Sequence, residues 1–225
     1  MIFSLIPARA GSKGIKNKNL SKINNLSLVS MAIESAMGVE SIDQITVSSN
    51  SNDVKHEISK YNIDFLNRPE SISSDQSTAK EVVEHFFKEY EILDDDIVIY
   101  LQPTCPFRSS KNINEALDLF FLEQKPITSL SSEKKFYEKY LSINEDNNLT
   151  ATFNKDTTSN RQSLNYAYQA NGAIYIFSKL MFIESDGFPI KNSYPYFMNK
   201  IESIDIDDTY DLTITRALAE YLQNK

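Results

Sequence analysis

The sequence predicts an α/β fold built on a mostly parallel sheet with helices on both faces. Three observations carry that prediction: short uncharged runs of β-branched and aromatic residues recur, helical patterns stand between them, and the two alternate over the first 130 residues. Such alternation gives right-handed crossovers and strands covered on both sides.

Residues 2–6 (Ile-Phe-Ser-Leu-Ile), 45–48, 97–101 and 173–177 are the strand runs. Helical patterns span roughly 27–37, 52–61, 77–91 and 110–123, with Ser77 or Thr78 capping the third and Ser109 or Ser110 the fourth. From about 133 to 170 the rhythm breaks into a polar stretch rich in Asn, Ser, Lys and Tyr and without glycine. It predicts an excursion from the sheet, for which a β-hairpin used in dimerisation and a surface loop are both compatible. The last 20 residues read as an amphipathic helix with Leu212, Ile214, Leu218 and Leu222 on or near one face.

A chain of 225 residues with 41% apolar content can bury a sizeable core, and its length suits a single domain spanning 1–225. No stretch approaches the ~18 apolar residues that cross a bilayer. The apolar run at residues 1–7 lacks a basic leader and is too short for a secretory signal. Cys105 has no partner for a disulfide, and neither His56 nor His85 stands at zinc-ligand spacing from it. A cytoplasmic protein is expected.

The net charge of −8 argues against sequence-independent nucleic-acid binding. Its distribution is uneven, because residues 1–33 hold Arg9, Lys13, Lys16, Lys18 and Lys22 and no acid. A basic segment kept in an acidic protein suits a small, highly charged anion, although a solvated basic loop has the same composition.

The first motif, Ile6-Pro7-Ala8-Arg9-Ala10-Gly11-Ser12-Lys13-Gly14, directly follows the first strand and holds two of only five glycines. Glycine lets backbone N–H groups converge on phosphate oxygens. The spacing matches neither the phosphate loop of the nucleoside triphosphatases nor the dinucleotide fingerprint. On spacing alone a phosphate site and an ordinary strand-to-helix turn both remain open.

The wider string IPARAGSKGIKNKNL resembles the amino-terminal signature of the CMP-sialic acid synthetases, or acylneuraminate cytidylyltransferases. Further stretches follow in that family's order and spacing: Arg68-Pro69-Glu70 with Ser74-Asp75, Leu101 to Arg108 (LQPTCPFR), Arg161-Gln162 leading to Asn171-Gly172-Ala173-Ile174-Tyr175, and Ser203-Ile204-Asp205-Ile206-Asp207 with Asp211-Leu212. Together they span nearly the whole chain. Two departures stand out: Lys16 where related sequences usually have proline, and Asn50 where they often have aspartate.

The resemblance implies a Rossmann-like nucleotidyltransferase domain and a homodimer. It implies an enzyme that couples CTP to the anomeric hydroxyl of a nine-carbon 2-keto acid sugar and releases pyrophosphate. By matching position, Arg9, Lys13, Lys18 and Asn19 would hold the triphosphate, with the backbone of Gly11 and Ser12, and Arg68 would help bind the nucleotide. Gln102, Lys139, Arg161 and Tyr175 would contact the sugar. Asp205 and Asp207 would bind Mg²⁺, with Mn²⁺ as the alternative ion.

Elementary chemistry agrees with these roles. CTP and an acidic sugar repel one another, and Arg9, Lys13 and Lys18 offset that repulsion without proton transfer. Mg²⁺ takes oxygen ligands and usually only one or two protein carboxylates. Each residue also has a plainer reading when taken alone: a helix-start acid cluster for Asp205 and Asp207, a surface ion pair for Arg161, a turn residue for Gln102, core packing for Tyr175 and Cys105. Asp94-Asp95-Asp96, a rival acid cluster, precedes a strand and reads as a solvated turn. Legionaminic, pseudaminic or, less well matched, 3-deoxy-manno-octulosonic acid are alternative sugars. An Asp-x-Asp glycosyltransferase and a catalytically dead nucleotide-binding domain are readings of other kinds. The first normally has its aspartates mid-chain, and the second would be expected to have lost Arg9, Lys13 or the aspartates.

Overall fold

In the computed structural model, which describes residues 1–11, 14–136, 139–152 and 166–224, the uncharged runs become the centre of a seven-stranded sheet. The strands are β1 (Ile2–Pro7), β4 (Gln44–Ser49), β5 (Asp64–Asn67), β6 (Ile97–Tyr100), β7 (Ile127–Ser131), β10 (Ala170–Ser178) and β11 (Tyr194–Met198), in the order β11-β7-β10-β6-β1-β4-β5. Only β10 runs against the rest, pairing antiparallel with both β6 and β7. Among the described residues two small hairpins complete the strands: β2 (Lys22–Ile23) with β3 (Leu26–Ser27), and β8 (Leu141–Ile143) with β9 (Leu149–Ala151). The second is an antiparallel hairpin inside the expected excursion. The sequence patterns did not flag β5, β7 or β11.

Helices α1 (Leu28–Met37), α2 (Asn52–Ile58) and α4 (Ser110–Glu123) cover one face of the sheet. α3 (Ala79–Glu89) and α5 (Lys179–Glu184) cover the other. Alternation along the strands feeds both cores: in β1 Ile6 points to the first and Phe3 and Leu5 to the second. Each fully buried side chain of this kind contributes about 1.5–3 kcal/mol. Helix starts are fixed locally, because Thr78 and Ser109 close capping boxes with Glu81 and Asn112.

α6 (Thr209–Gln223) corrects one expectation. Its buried positions are Leu212, Thr215 and Ala219, while Ile214 and Leu222 are exposed. Residues two apart on a helix point about 200° apart, so Ile214 cannot share the face of Leu212. A second correction concerns Asp96, which is buried and accepts the Leu93 N–H at 2.8 Å, leaving only Asp94 and Asp95 solvated. Ser12, Lys13 and Arg161 lie outside the described residues. Among the described residues no helix is long and apolar enough to cross a membrane.

Reversal of β10 is what matters for a site. It brings the start of that strand, Asn171-Gly172, to the carboxyl edge of the parallel strands, beside the loop that follows β6. Ligands of such sheets bind at that edge.

Candidate active site

The Ala8 N–H still bonds the Ser48 carbonyl at 2.8 Å, so the chain leaves the sheet only at Arg9. The Arg9 guanidinium donates to the Gly11 carbonyl at 2.5 Å and pairs with Asp75 at 2.7 Å. Gly11 holds φ +69°, a left-handed conformation natural to glycine. Buried Asn19 donates to the Arg9 carbonyl at 3.0 Å and closes the loop on itself.

Gly14 is needed for a different reason, since a Cβ there would lie 2.5 Å from the Asp207 carbonyl oxygen. The basic loop therefore touches the carboxy-terminal acidic segment through bare backbone. Lys18 crosses the same seam, donating to the Ile206 carbonyl at 2.8 Å and standing 3.6 Å from the Asp207 carboxylate. The Ile206 N–H bonds the Thr104 carbonyl at 2.9 Å, which fixes this segment against the loop after β6.

Helix capping is handled by the acids that follow. Asp208 caps α6, and Asp211 accepts the N–H groups of Asp207 and Asp208 at 2.9 and 3.1 Å. Asp205 and Asp207 are left facing the cleft. Burial pushes the Asp205 carboxyl above its ordinary range; Asp207 and Asp211 act in the same direction, and Thr104 and Lys18 oppose them. Two carboxylates that line one cleft, close enough for Asp207 to raise the Asp205 pKa, suit a hard divalent cation that takes its other ligands from phosphate and water. Among the described residues no group of three or more His, Cys, Asp or Glu gathers at a metal-holding spacing.

Arg68 follows β5 and is buried, donating to the Ser48 carbonyl at 2.7 Å and its hydroxyl at 3.1 Å. Burial lowers its pKa to about 10, which leaves it charged at neutral pH. Together Arg9, Lys18, Asn19, Arg68, Gln102, Asp205 and Asp207 line one cleft of about 380 Å³. Ser77, Thr78, Ala79 and Val82, at the start of α3, form another wall, with Tyr100 and Thr104. Those residues were not among the sequence candidates. The cap at Thr78 was the available signal, because a parallel sheet delivers helix N-termini to its carboxyl edge.

Three described candidates fall elsewhere, the first being Gly11, which lines a separate pocket with Arg9, Asn50 and Asp75. Tyr175 packs edge-on against Tyr100 and Phe188, with ring centroids at 6.3 and 5.2 Å, and does not line the cleft. Lys139 is exposed in the excursion, also outside the cleft. A second groove of about 600 Å³ adjoins the cleft; it is lined by Ser131, Lys135, Asn171, Lys200 and Ser203 and shares Asp205 and Asp207 with it.

A cytidylyltransferase family model matches residues 3–217. The N-acylneuraminate cytidylyltransferase of Escherichia coli is 31% identical over 95% of the chain. The chain belongs to the CMP-sialic acid synthetase family of cytidylyltransferases. As a member of that family it spans about half the length of the Escherichia coli relative. It is also 30% identical to the CMP-N,N'-diacetyllegionaminic acid synthase of Legionella pneumophila, over 99% of this chain and 97% of that one. Among solved structures, CMP:2-keto-3-deoxy-manno-octonic acid synthetase complexed with CTP shares the fold, with a TM-score of 0.71 at 15% identity over 98% of this chain and 99% of the other. The Rossmann-like sheet expected of a cytidylyltransferase is the one observed.

Proposed function

We propose that this cytidylyltransferase couples CTP to the anomeric hydroxyl of a nonulosonic acid, giving the CMP-sugar and pyrophosphate. The observation that carries the reading is that Asp205 and Asp207 line both the basic cleft and the adjoining groove. Two anionic reactants, one in each cavity, would meet at those carboxylates.

In this reading Arg9 and Lys18, with Lys13 of the same motif, hold the triphosphate and offset its charge as the acceptor oxygen bonds the α-phosphorus and the bond to the β-phosphate breaks. Arg68 and the first turn of α3 enclose the nucleoside. Asp205 and Asp207 hold Mg²⁺, or Mn²⁺, which when bound supplies charge neutralisation at the phosphates and lowers the pKa of the acceptor hydroxyl. Gln102 reads hydroxyl or N-acyl groups from the wall of the cleft. Arg161 would serve as a bidentate partner for the sugar carboxylate, while Lys139 and Tyr175, which line neither cavity, would reach the sugar only from beside them.

N-acylneuraminate is the first substrate reading, after the Escherichia coli relative. Legionaminate is the second, favoured by the end-to-end match with the Legionella pneumophila relative. We extend the proposal to a homodimer, because hairpin β8–β9 presents Leu141, Ile143 and Leu149 to solvent. Sedimentation measurements test that part. The cytoplasm, where CTP is made, is the proposed place of action. Pyrophosphate release with four nucleoside triphosphates crossed against a panel of keto-acid sugars tests the reaction. CTP with one or more nonulosonic acids should give release above all other pairs; release without a sugar, or equal release with every nucleotide, would overturn the reading.

A further inference from the structure

Arg108 is 4% exposed, yet its hydrogen-bond partners among the described residues are all neutral. One guanidinium nitrogen, Nη1, donates to the carbonyls of Gln102 and Ala173, at 2.9 Å each. Nε and Nη2 rest on the Ser35 hydroxyl of α1, at 3.4 and 3.3 Å. A buried cation without a counter-ion is costly, and an apolar residue of similar length would fill the same space with less penalty. The position therefore requires what only a guanidinium offers, several donors in a rigid fork.

What the fork joins is specific. Gln102 lies two residues past the end of β6 and Ala173 lies in β10, and between them sits Gly172, at φ +73°. A Cβ at Gly172 would overlap the Gln102 side-chain oxygen, so the Gln102 carboxamide lies directly on bare backbone. Next to it, Asn171 is committed inward: it accepts from Ser129 at 2.6 Å and donates to Ser203 at 3.0 Å. Gln102 thus has its main chain held from behind and its side chain pressed against β10, lining the cleft, while Asn171, the residue before Gly172, lines the groove.

We infer that Arg108 is a positioning residue which fixes Gln102 for the acceptor sugar. It touches neither reactant and acts through the Gln102 carbonyl. The inference rests on the proposed reaction for its kinetic readout, and a second readout is independent of that reaction.

Steady-state kinetics of the wild type, Arg108→Lys, Gln102→Ala and the double variant test it. Arg108→Lys should raise the sugar KM about tenfold, the scale of one good hydrogen bond, and leave the CTP KM within about twofold. In the Gln102→Ala background the same change should add nothing further, since the group it positions is gone. Equal rises in both KM values, or effects that multiply in the double variant, overturn the inference. CTP binding by calorimetry identifies a variant that has failed to fold, and Gly172→Ala then loosens the same contact from the other side, with the same expected pattern. A wild type inactive on every keto-acid sugar refutes the reaction instead. Arg108 is then judged from the Gln102 side-chain amide resonances, which should move toward random-coil positions in Arg108→Lys while those of Asn171 stay; unmoved Gln102 resonances overturn the inference.

Discussion

Asn50 donates to the Glu70 carboxylate at 3.0 Å while its own carbonyl oxygen accepts the Ala10 N–H at 2.8 Å. A neutral amide therefore ties the basic loop to the segment after β5. The departure from aspartate at this position becomes intelligible, because an acid here could neither donate to Glu70 nor avoid repelling it.

Asn50→Asp should raise the CTP KM about tenfold, the equivalent of one lost hydrogen bond near 1.4 kcal/mol. Adding Glu70→Gln restores a donor and removes the repulsion, so the double variant should recover most of the loss. CTP titrations of both variants check this, and a double variant no better than the single contradicts the bridge.

Gly14→Ala places a methyl group against the Asp207 carbonyl, where only backbone can move aside. Overpacking of this kind costs about 1–3 kcal/mol. The expected outcome is a lower melting temperature together with weaker CTP binding, because the basic loop and the acidic segment are pushed apart. Unchanged binding in a folded variant would show that the contact between them does not matter to the nucleotide.

Asp205 sets stability against activity. Its folded-state pKa is raised by burial, so its ionised form opposes folding. The sign follows from linkage: the penalty is fully present above the raised folded-state value and disappears as pH falls below the ordinary carboxylate range. Asp205→Asn should therefore raise the melting temperature at neutral pH, with a gain that shrinks on acidification, while metal-dependent turnover is lost. Thermal denaturation of both proteins across pH measures it; a gain that grows toward low pH has the wrong sign.

Lys18 reaches both the Ile206 carbonyl and Asp207. Lys18→Met should weaken CTP binding about tenfold at low ionic strength and less at high, as loss of a charge contact does. Calorimetry at two salt concentrations decides between this and a salt-independent packing effect.

The centre of the fold was legible because β1, β4, β6 and β10 are uncharged and covered on both sides. β5, β7 and β11 were not, since Asp64 and Asn67 bound the first, Ser129 and Ser131 interrupt the second, and Pro195 sits in the third, an edge strand that tolerates it. At the site, Arg9, Lys18, Asn19, Arg68, Gln102, Asp205 and Asp207 were readable as an ordered set of motifs and come together in one cleft. The wall made by Ser77 to Val82 was not, because residues that start a helix look alike whether or not a ligand lies above them. Arg108 stood within a quoted motif without a role, since its function lies in two backbone carbonyls that only the antiparallel β10 brings together.

A crystal structure with CTP and Mg²⁺ bound tests the central claim most directly. The triphosphate should lie between Arg9 and Lys18, with the metal on Asp205 and Asp207 and the base toward Arg68 and the first turn of α3. Nucleotide density outside this cleft, or a metal held away from both aspartates, would contradict the account.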